Sequence, residues 1–205
     1  MSQVSRRGVL GGAMGAAAAG YLSRGALELS ADPLGMPIGC QLWIVRDALG
    51  KDFPGTLKQL AAIGFRTVEM CSPPGYATSG FGPLAKMKAA EIRQAIQTAG
   101  LRCESSHFQF RELRESLDER IAWSKEMGLT QMVLSTFGLP NNAPMADWMR
   151  AADELNKIGD ETRKAGIQLG FHNHNFEFRL IDGALGDQFC QKVKQILENW
   201  SDEIL

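Results

Sequence analysis

From residue 36 onwards, one pattern of apolar and polar positions recurs along the chain. A stretch with a helical apolar stripe ends at a Gly, one apolar residue follows, and a short β-prone run comes next. The joints are Ile63-Gly64-Phe65, Ala99-Gly100-Leu101, Met127-Gly128-Leu129 and Ala165-Gly166-Ile167. Gly suits the left-handed backbone position just after a helix. Each joint therefore predicts the end of a helix and the start of a strand.

This pattern predicts alternating strands and helices. The strands cover residues 38–45, 67–71, 102–107, 131–135 and 168–172, and the helices cover residues 53–63, 83–99, 111–127 and 145–165. Such alternation is typical of an α/β protein with a parallel sheet and right-handed crossovers. An open doubly wound sheet and a (β/α) barrel both fit. No Gly-rich loop follows the first strand, which argues against a dinucleotide-binding fold.

Polar side chains collect at the carboxyl ends of the predicted strands. They are Gln41 and Arg46 near the first strand, Glu69 on the second, His107 after the third, Ser135 and Thr136 after the fourth, and His172 and His174 after the fifth. In a (β/α) barrel these ends share one rim, which forms the active site. All three histidines of the chain lie at such ends.

The stretch from Leu169 to Phe178 is the most distinctive part of the chain. If the strand continues, alternation places His172 and His174 on the same side. Glu177 follows three residues later, close enough to fold back beside them. Imidazole and carboxylate groups bind divalent metals and also act as acids and bases. The sequence therefore predicts a site at the end of this strand.

Composition narrows the range of functions. The 205 residues suffice for one sizeable core, and the net charge of −1 gives no basic field for nucleic acid. The four cysteines, Cys40, Cys71, Cys103 and Cys190, form no CxxC pair. We expect free thiols rather than a disulfide framework.

Residues 1–31 have the pattern of a targeting segment. Two adjacent arginines, Arg6 and Arg7, precede a Gly/Ala-rich run from Gly8 to Leu22. This run is shorter than the roughly 20 apolar residues of a membrane-spanning helix. The segment resembles a twin-arginine export signal, which implies a periplasmic or extracellular protein with no membrane anchor after cleavage.

Four stretches together resemble the sugar phosphate isomerase/epimerase family of xylose-isomerase-like TIM barrels. They are residues 39–47 (GCQLWIVRD), residues 63–69 (IGFRTVE), Ser106-His107, and residues 171–178 (FHNHNFEF). The resemblance covers about residues 36–182. It implies a divalent metal (Mn, Mg or Zn) at the barrel mouth and proton abstraction beside the carbonyl of a sugar or keto-sugar.

The resemblance also implies roles for individual residues. His107, Glu69 and His172 are the candidate catalytic residues, with Glu69 as a base, as an orienting group, or simply as a strand residue paired with Arg46. Gln41, Trp43 and His174 are candidate sugar contacts, although Trp43 would equally suit the core. Glu177 and His172 are the candidate metal ligands, and which of His172, His174 and Glu177 points inward depends on the direction of the strand at this loop.

The sequence departs from this family after about residue 183. The family barrel has eight strands, whereas five are legible here, and residues 187–205 predict an amphipathic helix. We therefore expect a partial barrel over residues 36–205. Truncation, completion by a second copy in a homo-oligomer, and a compact five-stranded domain are the three explanations.

Three functions fit these patterns to different degrees. The first is a metal-dependent sugar isomerase, epimerase or lyase. The second is a non-catalytic carbohydrate-binding protein or an inactive truncated homologue. The third, an endonuclease acting at abasic DNA sites, shares the barrel type, but the export-like segment and the net charge of −1 argue against it.

Overall fold

A computed structural model of the chain describes residues 36–140, 142–174, 180–181 and 184–185. The chain divides into two units, Met1–Ile38 and Gly39–Leu205. Every described strand and helix belongs to the second unit. The predicted export segment, Glu177, Cys190 and the predicted helix over residues 187–205 lie outside the described residues.

The described elements alternate as the sequence predicts. The strands are β1 (Gly39–Gln41), β2 (Thr67–Cys71), β3 (Arg102–Gln109), β4 (Gln131–Thr136), β5 (Gln168–Phe171), β6 (Leu180–Ile181) and β7 (Ala184–Leu185). The α-helices are α1 (Arg46–Lys51), α2 (Phe53–Ala62), α3 (Ala89–Thr98), α4 (Phe110–Glu115), α5 (Leu117–Met127) and α6 (Met145–Lys164). Short 3-10 helices cover Leu42–Val45, Ala77–Ser79 and Gly82–Lys86.

Strands β1 to β5 form one sheet in the order β1-β2-β3-β4-β5, and every pair is parallel. Each strand therefore lies next to its successor in the chain. A doubly wound sheet would instead reverse its order at a switch point. The sequential order is that of a (β/α) barrel, and the described residues form part of one. Strands β6 and β7 form a separate antiparallel pair.

The glycines at the predicted joints adopt the left-handed backbone conformation. Their φ angles are 111° at Gly64, 79° at Gly100, 78° at Gly128 and 78° at Gly166. A side chain would strain the backbone at these positions. The prediction that each Gly ends a helix is confirmed.

The predicted boundaries are wrong in three places. The first strand stops at Gln41, because the Gln41 side chain accepts a hydrogen bond from the Trp43 N–H and caps the 3-10 helix that follows. The helix predicted over residues 83–99 is a 3-10 helix followed by α3. The helix predicted over residues 111–127 breaks at Ser116, whose φ of −144° and ψ of 37° are not helical.

The core consists of two apolar clusters on the helix side of the sheet. One contains Leu57 of α2, Met70 of β2 and Ile92 of α3, and the other contains Leu134 of β4 and Trp148 of α6. Trp123 of α5 packs against both. The clusters fix the helices against the strands and so fix the strand ends. Among the described helices, none is both long enough and apolar enough to cross a membrane.

The three described cysteines, Cys40, Cys71 and Cys103, are free thiols, as expected from their spacing.

We expect the Leu155→Ala substitution to lower the free energy of unfolding by about 2–5 kcal/mol, because Leu155 of α6 is fully buried and its removal leaves a cavity. Lys157→Ala on the same helix is the matched control at a position outside the buried core and should cost less than about 0.5 kcal/mol. Urea unfolding measures both. Equal effects of the two substitutions would contradict the packing of α6.

Candidate active site

A cleft of about 520 Å³ opens at the carboxyl ends of the strands. It is lined by Gln41, Trp43, Ile44, Cys71, Tyr76, His107, Gln109, Ser135, Thr136, His172 and His174. Each of the strands β1 to β5 ends in or beside this set. Five of the candidate catalytic and sugar-contact residues therefore lie around one cavity, namely Gln41, Trp43, His107, His172 and His174. Glu69, a sixth, contacts the His107 side chain.

Glu69 and His107 form a half-buried pair beside the cleft. His107 Nε2 lies 3.0 Å from Glu69 Oε1, and Ser105 Oγ donates to Glu69 Oε2 over 2.7 Å. The Glu69 side chain is 26% exposed and that of His107 is 10% exposed. Both carboxylate oxygens thus have a donor. The alternative that Glu69 pairs with Arg46 is wrong, since Arg46 lies over the Trp43 ring instead.

The pair exists because of the register between β2 and β3. Glu69 lies beside Ser105, and Cys71 lies beside His107, after a register shift between Val68 and Glu69. Side chains alternate along a strand, so Ser105 and His107 project to the same face as Glu69. Val68, on the opposite face, is buried in the core.

The environment of Glu69 favours its charged form. Burial by itself would raise the pKa of Glu69. The hydrogen bonds from His107 and Ser105 and the charges of His107 and His172 act in the opposite direction and outweigh it, so the pKa lies below its ordinary value. A carboxylate with a lowered pKa is a weak proton acceptor and a good orienting partner for an imidazole.

The three histidines form a row across the cleft. The ring centroids of His107 and His172 are 5.0 Å apart, and those of His172 and His174 are 4.9 Å apart, all edge to face. His107 is buried, whereas His172 and His174 are exposed at the mouth. The row therefore runs from the Glu69 carboxylate to solvent.

Aromatic and apolar side chains line another part of the cleft. The Trp43 ring is 38% exposed and packs edge to face on Tyr76, with 5.7 Å between the ring centroids. The Arg46 guanidinium lies 4.5 Å from the centroid of the Trp43 ring. Tyr76 is buried, and its hydroxyl donates to Ser135 Oγ. Trp43 is thus a cleft residue rather than a core residue.

Gln41 Nε2 donates to Cys71 Sγ over 3.3 Å in the floor of the cleft. Burial raises the pKa of the Cys71 thiol to about 12, although the hydrogen bond from Gln41 opposes this. The thiol is therefore neutral at physiological pH and is a poor nucleophile.

Sequence reasoning missed Ser105, Tyr76 and Glu112. Strand alternation could have identified Ser105, because it lies two residues before His107 on the same strand and therefore on the same face. Tyr76 lies in the loop after β2 and reaches the cleft only through the packing of that loop. Glu112 on α4 accepts a hydrogen bond from Ser72 over 2.7 Å, a contact between residues that are 40 positions apart.

The described residues do not make up a metal site by themselves. Among them, no group of three or more His, Cys, Asp or Glu side chains is arranged to hold a metal ion. Both oxygens of Glu69 already accept hydrogen bonds. The predicted metal ligands are His172 and Glu177, and Glu177 lies outside the described residues. A complete ligand set at this cleft therefore depends on side chains beyond those described.

Comparison with known proteins places the chain among barrels of one kind. A sequence model of the xylose isomerase-like TIM barrel family matches residues 57–198. No curated protein matches the chain. A sugar phosphate isomerase/epimerase from Parabacteroides distasonis is 26% identical, with a TM-score of 0.61, and the match covers 80% of this chain and 63% of that one.

Two further solved structures share the fold. An AP endonuclease of family 2 from Brucella melitensis is 14% identical with a TM-score of 0.53, over 78% of this chain and 65% of its own. A xylose isomerase-like TIM barrel protein from Mycobacterium smegmatis, in complex with magnesium, is 15% identical with a TM-score of 0.51. The match covers 78% of this chain and 61% of that one. The chain thus spans less than two thirds of the length of each of these relatives.

The Glu69→Gln substitution should destabilise the fold by about 1.5–3 kcal/mol near neutral pH, because it removes a charged hydrogen-bond acceptor from His107 and Ser105. The folded-state pKa lies below the ordinary value of 4.5. The stabilisation is therefore present above pH 4.5 and is lost as the pH falls through the lower folded-state pKa. Urea unfolding of both proteins should show a difference that shrinks from pH about 5.5 to pH about 3.

The control is Glu104→Gln, an exposed carboxylate on the neighbouring strand β3. It should stay within about 1 kcal/mol of the wild type at each pH. A Glu69→Gln difference that stays constant or grows in acid would contradict the assigned pair.

Proposed function

Since the chain belongs to the xylose isomerase-like TIM barrel family, we propose that it is a sugar isomerase or epimerase that moves a proton next to a carbonyl group. The observation that carries this proposal is the Glu69–His107 pair at the cleft, with His172 beside it. The similarity to the sugar phosphate isomerase/epimerase from Parabacteroides distasonis supports it.

In this proposal His107 transfers the proton, and Glu69 orients the His107 imidazole. Glu69 Oε1 engages His107 Nε2, so His107 Nδ1 is the nitrogen left for the substrate. The Glu69 carboxylate fixes the tautomer and the orientation of the imidazole. Both Glu69 carboxylate oxygens already accept hydrogen bonds, one from His107 and one from Ser105, which is why we assign Glu69 the orienting role.

When its ring nitrogens are free of metal, His172 supplies the second proton-transfer group. Its ring lies 5.0 Å from that of His107 at the mouth of the cleft. A proton taken from carbon must be matched by one given to the carbonyl oxygen, and two adjacent imidazoles can divide these tasks. Gln41, Trp43 and His174 line the same cleft and are proposed to hold the sugar, with the indole against a ring face.

A divalent metal is proposed as the cofactor, with His172 and Glu177 among its ligands. Metals of this kind polarise carbonyl oxygens when bound. The magnesium complex of the Mycobacterium smegmatis barrel is the reason to test for one, while the roles proposed for His107 and Glu69 do not depend on it. From Arg6, Arg7 and the run after them, we also propose that the protein is exported by a twin-arginine route to the periplasm or beyond.

Proton exchange tests the activity without knowledge of the product. The wild type is incubated in D₂O with a panel of aldoses, ketoses and their phosphates, with and without Mn²⁺, and proton NMR follows loss of the C–H signal beside the carbonyl. At least one sugar should exchange. The His107→Asn variant should slow the exchange by about 10²–10⁴-fold, which is the usual contribution of a general acid or base.

Glu104→Gln serves again as the control and should exchange at the wild-type rate. Binding of a sugar without exchange would favour a carbohydrate-binding protein over an enzyme. Undiminished exchange in His107→Asn would reject the assignment of His107.

Metal binding is tested by thermal melts of the chain in EDTA and in excess Mn²⁺, Mg²⁺ or Zn²⁺. A metal at 100 times its dissociation constant should stabilise the fold by about 2.7 kcal/mol, which raises Tm by roughly 5–10 °C for a protein of this size. The shift should vanish in Glu177→Gln and persist in Glu104→Gln. If no metal shifts Tm in the wild type, the proposed cofactor is wrong.

A further inference from the structure

A second, largely buried carboxylate lies outside the acid/base pair and joins two elements of the rim. Glu112 Oε2 accepts a hydrogen bond from Ser72 Oγ over 2.7 Å, and Glu112 Oε1 accepts one from the Gln109 N–H over 2.8 Å. Ser72 directly follows β2, and Gln109 is the last residue of β3. One side chain, only 12% exposed, therefore holds both strand ends.

The loop after β2 packs directly onto this carboxylate. A Cβ atom placed on Gly75 would lie 2.1 Å from Glu112 Oε1, far inside van der Waals contact. Only Gly permits this approach without a shift of the Glu112 side chain. The Arg120 guanidinium lies 4.0 Å away on the other side, from Nη1 to Oε2. Glu112 is thus enclosed by the loop, its own helix and α5.

The same loop carries a wall of the cleft. The Tyr76 N–H donates to Ser72 O over 3.0 Å, and the Ser72 N–H donates to His107 O over 2.8 Å. Tyr76 then reaches across to Ser135 and packs against Trp43. The position of the Tyr76 ring therefore depends on Ser72, and that of Ser72 on Glu112.

We propose that Glu112 is a positioning residue that holds the segment Ser72–Tyr76 and thereby sets the Tyr76 wall of the cleft. Glu112 itself is not among the lining residues. It acts through Ser72 and the backbone of the loop. Burial raises the pKa of Glu112, while the bonds from Ser72 and Gln109 and the charge of Arg120 oppose that rise, in agreement with a carboxylate whose water has been replaced by these donors.

The chemistry of the contacts separates two substitutions. In Glu112→Ala, both hydrogen bonds are lost. In Glu112→Gln, the amide oxygen can accept from the Gln109 N–H while the amide N–H donates to Ser72 Oγ, because a hydroxyl can reverse its role. The amide should therefore restore the loop where alanine does not. Ser72→Ala removes one contact only. Glu115→Ala, an exposed carboxylate on the same helix, is the matched control.

Hydrogen exchange measured by mass spectrometry on the full chain gives the first readout. Glu112→Ala should speed exchange at the Tyr76 amide by about tenfold, while amides of β4 and α6 keep their wild-type rates. Glu112→Gln and Glu115→Ala should stay within about threefold of the wild type, and Ser72→Ala should fall between. This readout needs no substrate and holds whether or not the proposed function is correct.

Steady-state kinetics gives the second readout and rests on the proposed function. With the sugar that exchanges its proton most rapidly, Glu112→Ala should raise KM by more than it lowers kcat, because the Tyr76 wall moves while the Glu69–His107 pair remains. Glu112→Gln should recover most of the wild-type KM.

Three results would overturn the proposal. One is unchanged exchange at Tyr76 in Glu112→Ala. Another is faster exchange spread evenly over β4 and α6, which would make Glu112 a general stabilising residue. The third is a Glu112→Gln variant as impaired as Glu112→Ala. If Glu112→Ala does not fold, the same outcomes are read from Ser72→Ala at smaller amplitude. Failure of every sugar to exchange would reject the proposed function and leave the first readout to decide on Glu112.

Discussion

In a parallel sheet all carboxyl ends lie at one edge, and the register between neighbouring strands decides which side chains meet there. Here the pairing of β2 with β3 has the largest consequences. It places Glu69 beside Ser105 and Cys71 beside His107. A slip by one residue would turn Glu69 into the apolar cluster that contains Met70 and would expose Met70 to the cleft. The hydrophobic pattern of β2 therefore fixes the chemistry of the rim.

A charge in this position requires compensation. Removing a carboxylate from water costs several kcal/mol unless donors replace the lost solvent. Glu69 accepts hydrogen bonds from His107 and Ser105, and Glu112 accepts hydrogen bonds from Ser72 and from the Gln109 N–H. The two carboxylates differ in the direction of their pKa shifts: burial is outweighed at Glu69 by two donors and two imidazoles, whereas it prevails at Glu112. The lowered pKa of Glu69 suits a charged group that orients a neighbouring side chain. Glu112 instead connects the loop after β2 to α4.

Much of the fold could be predicted from the sequence because its signals are local. The joints at Gly64, Gly100, Gly128 and Gly166 end helices as expected, since a left-handed residue after a helix is a property of a few neighbouring positions. Boundaries that depend on side-chain contacts could not be predicted in this way. Gln41 ends β1 by capping the following turn.

The candidate site shows the same division. Polar residues at strand ends can be found by alternation and spacing, which is why His107 and His172 stand out as site residues in the sequence alone. Which residue pairs with Glu69 depends on strand register. Spacing alone leaves open whether Glu69 forms an ion pair with Arg46 or orients another side chain. Glu112 has a local signal only for its cap of the Gln109 N–H three residues earlier. The link between the Tyr76 loop and Glu112 has no local signal, because it joins Ser72 to a helix residue 40 positions later in the chain.

One wall of the cleft is therefore held by strands and another by a loop, and the two walls respond differently to substitutions. The wall with His107 is built on strands, and their backbone hydrogen bonds and apolar faces hold it in place. A substitution of one polar side chain there changes the chemical groups of the cleft more than the position of the wall. The wall with Tyr76 is built on a loop, and loops open more readily than strands. Its precision depends on the few contacts from Glu112 and Ser135. In such an arrangement, changes in the loop contacts alter the shape of the cleft, while the strand ends keep Glu69 and His107 in place.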